Sequence, residues 1–246
     1  MDALTAAAAS GIRARIESLD MLANNLANES AAGFKADQEA YDLYVSPEAA
    51  DSPDGTNPAI LPVVQNRWTD FAQGALLPTG NSMDLALSGK GFFVASTPTG
   101  PVYTRGGSLR FSLTGQLETL DGYAVQGSDG KPILLDSSKT IEVLPDGNVL
   151  QDGQQISRIA VVDFDDPKVL TKRGGNYFRS VSSTTPAPAP QTEVRQGQLE
   201  KANSDSAHSA SRLVTILRQF EALQKALTIG ADMNRRAVEE VAKVGS

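Results

Sequence analysis

Apolar residues recur at a helical period near the beginning of the chain. Between Leu4 and Leu26 they fall about 3.7 residues apart on average, the spacing of one face of an α-helix. The stripe consists of Leu4, Ala8, Ile12, Ile16, Leu19, Leu22 and Leu26. Asp2 is a suitable N-cap, and Gly33 is predicted to provide a left-handed stop before Phe34. The pattern therefore predicts an N-terminal helix whose apolar stripe needs a partner.

A second apolar stripe near the C-terminus has the stricter spacing of a coiled coil. Its members are separated by 3, 4, 3 and 4 residues and are Leu213, Ile216, Phe220, Leu223 and Leu227. This spacing keeps one seam facing a helical partner. Asn203 or Ser204 is the predicted cap, and Gly230 interrupts the seam. Burying each such side chain contributes about 1.5 to 3 kcal/mol. We therefore expect the two helices to pack as an antiparallel pair or coiled coil, and also against neighbouring subunits.

Between the two stripes the pattern changes to short alternating segments that are typical of β-strands. Alternation is clear in the segments 83–87 and 109–113, and the tract 156–164 reads as a further strand. Turn signals separate the segments, among them four Asp-Gly pairs that begin at Asp121, Asp129, Asp146 and Asp152. Asp-Gly between apolar alternations is a strong hairpin signal. The segment 67–182 is therefore predicted to be an all-β module.

Two proline-containing segments separate the predicted module from the predicted helices. Residues 36–66 hold four prolines and are predicted to be an extended linker, and residues 183–202 are predicted to be a proline-rich connector with a return strand. The predicted fold class is mainly β with terminal α-helices. A discontinuous helical assembly domain, residues 1–35 and 203–246, would carry the all-β module as an insertion.

Composition excludes several classes of function. The net charge of −7 argues against nucleic acid as a partner, because binding to a phosphate backbone needs clustered Lys and Arg. The absence of cysteine excludes disulfides and thiolate chemistry. No apolar run approaches the roughly 18 to 20 residues that span a bilayer, so no membrane insertion is predicted. Asp2 stands where a signal peptide carries basic residues, so we predict no cleavable signal peptide.

Candidate catalytic and metal-binding residues are few. Asp205 and Ser206 neighbour the single histidine, His208, but triad members converge from distant positions, and a helix start is the better interpretation. Asp163, Asp165 and Asp166 form an acidic cluster at a strand end, without the loop and glycine spacing of a calcium site. We predict no catalytic residue, no cofactor, no metal and no small-molecule substrate.

Four sequence blocks resemble the bacterial flagellar basal-body rod and hook protein family. The blocks are SLDMLANNLANESAAGFK (18–35), QGALLPTGNSMDLALSGKGFF (73–93), YTRGGSLRFSLTGQLETLDGYAVQG (103–127), and QGQLEKANSD (196–205) with the helical RQFEALQKAL (218–227). In the first block the residues that match the family signature are Asn24, Asn25, Leu26, Ala27, Asn28, Gly33, Phe34 and Lys35. The blocks cover most of the chain in the order expected for the family.

The resemblance implies a structural subunit without catalytic activity. It implies that the terminal helices pack inside a rod that crosses the periplasm, with copies of the chain and other rod or hook-family subunits as partners. It also implies export through the flagellar type III apparatus. We expect the assembly interface to comprise Leu4, Ile12, Ile16, Leu19, Leu22, Asn24, Asn25, Leu26, Asn28, Gly33, Phe34, Leu213, Ile216, Phe220, Leu223 and Leu227.

Alternatives to this interpretation stay open at the level of sequence. The short β module favours a proximal rod protein over a distal rod or hook-type subunit of the same family. A secreted hydrolase that uses Asp163 and Asp165 would belong to another class, but no further machinery supports it. A β-rich adhesin or binding module is the third possibility.

Overall fold

The chain folds into two compact units that interleave along the sequence. A computed structural model describes residues 3–45, 60–181 and 184–244. The helical unit comprises Met1–Ala27, Asp37–Trp68 and Asp205–Ser246, and the β unit comprises Asn28–Ala36 and Thr69–Ser204. The first helix and Gly33 therefore fall in different units, whereas the sequence predicted one domain for residues 1–35. Asp2 lies outside the described residues.

In its described residues, the helical unit contains two helices and one β-hairpin. Helix α1 spans Ala3–Ala27 and helix α2 spans Ser206–Val244. Strands β1 (Asp37–Val45) and β2 (Ile60–Thr69) pair with each other as a two-stranded sheet. Most of the described residues of the predicted extended linker, 36–66, therefore lie in paired strands. Pro62 lies within β2, which a two-stranded sheet tolerates because each strand has an outer edge that needs no donor.

Helices α1 and α2 pack along their lengths. Met21 and Leu22 form a buried cluster with Ile216 near the end of α1 and the beginning of α2. Burial then continues backwards along α1 to Gly11 and forwards along α2 to Gly230. This direction of burial agrees with the predicted antiparallel pair. Neither helix, as far as its residues are described, has a stretch long and apolar enough to span a bilayer.

The described residues of the β unit form sixteen short strands, which confirms that the middle of the chain is β. They are β3 (Leu76–Pro78), β4 (Leu85–Ser88), β5 (Phe92–Thr97), β6 (Gly100–Thr104), β7 (Leu109–Phe111), β8 (Leu117–Thr119), β9 (Ala124–Val125), β10 (Ile141–Val143), β11 (Asn148–Gln151), β12 (Gln154–Arg158), β13 (Val161–Asp163), β14 (Leu170–Gly174), β15 (Tyr177–Ser180), β16 (Ala187–Pro188), β17 (Glu193–Gln196) and β18 (Gln198–Glu200).

Strand order shows how the return of the chain completes the β unit. The largest sheet runs β14-β15-β6-β5-β9-β8-β7, with β13 pairing with both β5 and β16. A three-stranded sheet has the order β10-β11-β12. The last two strands pair with the first two, β17 with β4 and β18 with β3, both antiparallel. Residues 193–200 are therefore part of the β unit, beyond the boundary at residue 182 that the sequence suggested.

Strand β5 divides the interior of the β unit into two cores. Phe92 and Val94 belong to an aromatic-rich cluster with Tyr103, Phe164 and Phe178. The alternate residue Phe93 belongs to a second, aliphatic cluster. Successive side chains of a strand point to opposite faces, so a strand with a core on both faces has no polar alternation.

The Asp-Gly turns form where the sequence places them. Gln151 pairs with Gln154, so Asp152 and Gly153 are the two central residues of the β11–β12 hairpin. Their φ angles are 51° and 76°. Positive φ at both central residues is the requirement of a type I′ turn, which matches the right-handed twist of the flanking strands. The predicted hairpin is confirmed at this position.

Candidate assembly site

The predicted assembly residues on α1 divide between two faces of the helix. Leu22 is buried, Ile12 and Leu19 are half-buried, and Ile16 and Leu26 are exposed, while the Leu4 side chain lies outside the described part. The buried face of α1 is a different row, separated by 3, 4, 3 and 4 residues, and consists of Gly11, Ala14, Ser18, Met21 and Asn25. Small residues dominate this face, and they let a neighbouring backbone approach closely.

The predicted seam on α2 faces the interior of the helical unit. Ile216 is buried, and Leu213, Phe220, Leu223 and Leu227 are half-buried. Gly230 is buried three residues further on, so it continues the 3.5-residue spacing. The expectation that Gly230 interrupts the seam is therefore wrong, because a buried glycine has no side chain to hold the helices apart.

Polar contacts fix the β-hairpin to the helices within the helical unit. The Asn25 side chain donates to the carbonyl of Asp37 at 2.9 Å and accepts from its amide at 3.0 Å. Arg212 on α2 donates to the buried carboxylate of Glu39 on β1 at 2.9 Å. Of the three signature asparagines, Asn25 is buried, Asn28 is half-buried and Asn24 is exposed. Two strands alone would be only marginally stable. These contacts hold the hairpin to both helices.

The second half of the first signature block lies in the β unit. Helix α1 ends at Ala27, and Gly33 has a φ of 70°, the predicted left-handed conformation. It does not cap the helix, because Gly33 lies six positions beyond Ala27. A Cβ at Gly33 would lie 2.2 Å from the carbonyl carbon of Arg105. Phe34 is buried, and its ring centroid lies 4.5 Å from Nζ of Lys172. Residues 28–36 thus pack into the β unit.

A buried cluster of three charged side chains holds this segment in place. Glu200 accepts from Lys35 Nζ at 2.5 Å through Oε1 and from Arg105 Nη1 at 3.0 Å through Oε2. Its Oε1 also accepts from the amide of Gly74 at 2.9 Å, and its carbonyl accepts from the amide of Gly33 at 2.7 Å. The side chains of Lys35 and Glu200 are 0% exposed and that of Arg105 is 4% exposed. We call Lys35, Arg105 and Glu200 the charge cluster.

Two cations and one anion give the charge cluster a net positive charge. Burial lowers the pKa of the Lys35 ammonium below its ordinary value, Glu200 opposes that shift, and Arg105 adds to it by repulsion. Two backbone carbonyls supply the remaining compensation, because Lys35 Nζ donates to Ala72 at 2.7 Å and Arg105 Nη2 donates to Gly89 at 2.6 Å. Glu200 is thus the anion on which both buried cations depend.

The Asn203 side chain hydrogen-bonds to the backbone of two other segments next to the charge cluster, and so joins them to its own segment. Its side-chain oxygen accepts from the amide of Ala36 at 2.7 Å, and its amide group donates to the carbonyls of Asp70 and Ala72 at 2.7 and 3.1 Å. The sequence predicted Asn203 or Ser204 as the cap of α2. The cap is Asp205, whose Oδ1 accepts from the amides of Ala207 and His208. Asn203 is instead used to join the segments of the β unit.

All four signature blocks meet at the charge cluster and its neighbours. Lys35 belongs to the first block, Gly74 to the second, Arg105 to the third and Glu200 to the fourth. The predicted interface included Gly33 and Phe34 but missed the three charged residues. Glu200 lies 165 residues from Lys35 and 95 from Arg105, so no local pattern connects the three residues. Their signal in the sequence was that each belongs to one of these blocks.

The candidate catalytic residues have structural roles. Asp163 ends β13 and accepts from the amide of Phe164, and Asp166 caps the 3₁₀ helix Pro167–Val169 by accepting from the amide of Lys168. His208 is exposed in the first turn of α2, where Asp205 caps the helix. Among the described residues, no group of His, Asp and Glu is arranged to hold a metal ion.

Comparisons with known proteins show similarity to flagellar proteins. Residues 86–151, within the β unit, match the family model described as the flagellar hook protein FlgE/F/G D1 domain. The chain is 33% identical to the flagellar basal-body rod protein FlgF of Caulobacter vibrioides over 230 residues, which cover 92% of each chain. It is 30% identical to FlgF of Rhizobium meliloti over 213 residues, 82% of this chain and 83% of that protein.

Similarity extends to a second group of rod proteins. The chain is 29% identical to the flagellar basal-body rod protein FlgG of Bacillus subtilis over 254 residues, 93% of this chain and 95% of that protein. The chain belongs to the family of flagellar basal-body rod proteins. Within that family, the higher identities to the FlgF relatives favour a FlgF-type subunit.

Proposed function

We propose that the chain is a structural subunit of the flagellar basal-body rod and polymerises through its helical unit. The observation that carries the proposal is similarity to a rod protein over 92% of both chains, a span that reaches into both terminal helices. The helical unit supports it, because α1 and α2 keep exposed apolar side chains after they have packed together, among them Ile16, Leu26, Ile229 and Met233. Exposed apolar surface of this kind marks a protein–protein contact.

The partners of the proposed subunit are copies of itself and other rod or hook-family subunits. We propose the flagellar basal body as its location and the flagellar type III apparatus as its route of export, without a cleavable signal peptide. The preference for a proximal over a distal position remains a prediction. The proposed role needs no catalysis, and no feature of Asp163 or Asp165 favours the alternative hydrolase.

Removal of α2 tests the proposal in the bacterium that encodes the chain. A strain without the gene is complemented either with the full chain or with a chain that ends at residue 204. We expect the full chain to restore motility and to be present in isolated basal bodies, and the shortened chain to do neither. A matched control carries Glu118→Gln, which changes the ion pair with the half-exposed Arg110 of the β unit and leaves the helices unaltered. Motility with the shortened chain would contradict the proposal.

A further inference from the structure

The four Asp-Gly turns of the β unit differ in how the amide of the glycine is used. In three of them this amide donates to the carbonyl oxygen three residues earlier and closes the turn. These bonds, each 2.9 Å long, run from Gly122 to Thr119, from Gly130 to Gly127 and from Gly147 to Leu144. In the fourth turn Gln151 pairs with Gln154, so the ladder bonds flank the two central residues. Among the described residues, no backbone carbonyl accepts from the amide of Gly153.

An amide that follows aspartate can act as a nucleophile towards the aspartate side chain once it has lost its proton. An amide that donates a hydrogen bond loses its proton to water only when that bond opens, whereas a free amide does so directly. Gly153 is exposed and has no side chain to shield its nitrogen, whereas Gly147 is buried. Of the four pairs, Asp152 and Gly153 therefore have the most accessible nucleophile.

The carboxyl group of Asp152 is also less restrained than those of the other three aspartates. It forms an ion pair with Lys139 at 2.8 Å, in which the lysine side chain is 46% exposed and the aspartate side chain 58%. An exposed ion pair of this kind contributes little and opens readily. The other three carboxylates accept hydrogen bonds within the fold, from the Tyr177 hydroxyl to Asp121, from the Lys131 amide to Asp129 and from the amide and side chain of Asn148 to Asp146.

The backbone of Asp152 is held in an unfavourable conformation. Its φ of 51° lies in the left-handed region, and it is the one non-glycine residue in the described part of the chain with a positive φ. This region is unfavourable for residues with a Cβ, although aspartate tolerates it better than most. A residue linked through its side-chain carboxyl has an additional methylene in the main chain and escapes this restriction. Rearrangement at Asp152 therefore releases strain that the other three aspartates do not carry.

We propose that Asp152 is a site of isoaspartate formation in the folded chain. The Gly153 nitrogen attacks Cγ of Asp152, a new N–C bond forms, and the side-chain hydroxyl leaves as water to give a five-membered succinimide. Water then opens the ring at one of its two carbonyls. Opening at the side-chain carbonyl restores aspartate, and opening at the backbone carbonyl gives isoaspartate. The overall change is an isomerisation that needs no cofactor, and it is independent of the proposed function.

Ageing of the natural chain tests the proposal site by site. One sample is kept folded at neutral pH, and a second is kept unfolded in guanidinium chloride at the same pH and temperature. Trypsin cleaves after Lys and Arg but not before Pro, so the four pairs fall in two peptides, 111–139 and 140–158. Electron-transfer fragmentation in a mass spectrometer distinguishes isoaspartate from aspartate at each position. A fifth pair, Asp54 and Gly55, lies outside the described residues and in a different peptide.

In the folded sample we expect isoaspartate to accumulate at Asp152 at least about fivefold faster than at the other three aspartates, the factor that one net hydrogen bond contributes. In the unfolded sample the four rates should become similar, because no turn then holds a glycine amide. Similar rates at all four sites of the folded chain, or no isoaspartate at Asp152, would overturn the proposal. A preference for Asp152 that stayed the same after unfolding would also overturn it, because its cause would then be the local sequence.

Two matched substitutions within peptide 140–158 provide a second measurement. Asp152→Glu keeps the charge but requires a less favoured six-membered ring, and Asp146→Glu makes the same change at the neighbouring pair. A purified isoaspartyl methyltransferase transfers a labelled methyl group from S-adenosylmethionine to the isoaspartate carboxylate. We expect Asp152→Glu to lower the label in the aged peptide at least about fivefold and Asp146→Glu to leave it unchanged. Circular dichroism checks that both variants are folded. Undiminished label in Asp152→Glu would contradict the inference.

Discussion

Glu200 is the residue on which the interior of the β unit depends most. Replacing it with Gln keeps its shape and removes the carboxylate that the buried Lys35 and Arg105 both contact. Breaking a buried ion pair in this way costs about 3 to 5 kcal/mol. We expect Glu200→Gln to lower the free energy of unfolding by that amount in urea titrations.

Glu118→Gln is the matched control for Glu200→Gln. Glu118 pairs with Arg110 at 2.9 Å, where the arginine side chain is half exposed, and such pairs contribute about 0 to 1 kcal/mol. An equal effect of both substitutions on the free energy of unfolding would show that the buried ion pairs of Glu200 contribute no more to stability than the ion pair of Glu118.

Lys35 should make the stability of the chain depend on pH in the alkaline range. Its pKa is lowered in the folded chain by burial, whereas in the unfolded chain it returns to its ordinary value of 10.5. Between the lowered value and the ordinary one, the unfolded chain binds more protons. The free energy of unfolding contributed by this group therefore rises with pH across that window and is lost as pH falls through the lowered pKa.

Lys35→Met removes the titrating group and keeps an unbranched side chain. We expect the variant to lose the rise in unfolding free energy that the natural chain shows as the pH increases from the lowered pKa of Lys35 towards the ordinary value of 10.5. Parallel urea titrations across this range measure the difference. If the two chains changed in parallel with pH, the lowered pKa of Lys35 would be wrong. Nothing in the sequence around Lys35 indicates the shift, because its cause is burial beside residues far along the chain.

The β-hairpin of the helical unit depends on one residue of the signature block. Asn25→Ala removes two hydrogen bonds between the buried Asn25 side chain and the backbone of Asp37, each of which contributes about 0.5 to 1.5 kcal/mol. Asp20 is exposed on the same helix, so Asp20→Ala should change stability by less than about 0.5 kcal/mol. Thermal unfolding of both variants provides the comparison. Equal Tm values would show that the Asn25 bonds contribute nothing to the stability of the hairpin.

At the scale of elements, the sequence predicted the existence of each helix better than the face that it buries. The 3.7-residue spacing on α1 identified the helix, but it followed the large apolar residues. The row that faces the interior holds Ala14 and Ser18, whose small side chains carry little hydrophobic signal. On α2 the row of large apolar residues that the spacing identified includes the buried Ile216, and the others in it are half-buried. The β1–β2 hairpin was missed because four prolines in 36–66 outweighed its strand pattern, and paired edge strands accept proline.

At the scale of the whole molecule, the β unit needs both ends of its chain segment. The segment 67–182 lacks Lys35, Glu200 and strands β17 and β18, which pair with β4 and β3. We expect a fragment of residues 28–204 to unfold cooperatively in urea and a fragment of residues 67–182 to show no cooperative transition. Near-ultraviolet circular dichroism, which reports packed aromatic residues, provides a second reading. Cooperative unfolding of the shorter fragment would show that the return strands and the charge cluster are dispensable.

The position of Glu200 near the end of the β unit also determines when that unit can finish folding. Synthesis and any export that begins at the N-terminus deliver Lys35 and Arg105 first, and Glu200 follows Lys35 by 165 residues. Until it arrives, closing the interior would bury two cations without their anion, a state that costs several kcal/mol. A partly delivered chain therefore lacks the anion that both buried side chains contact, and we expect the β unit of a chain cut before residue 200 to be less stable than that of the full chain.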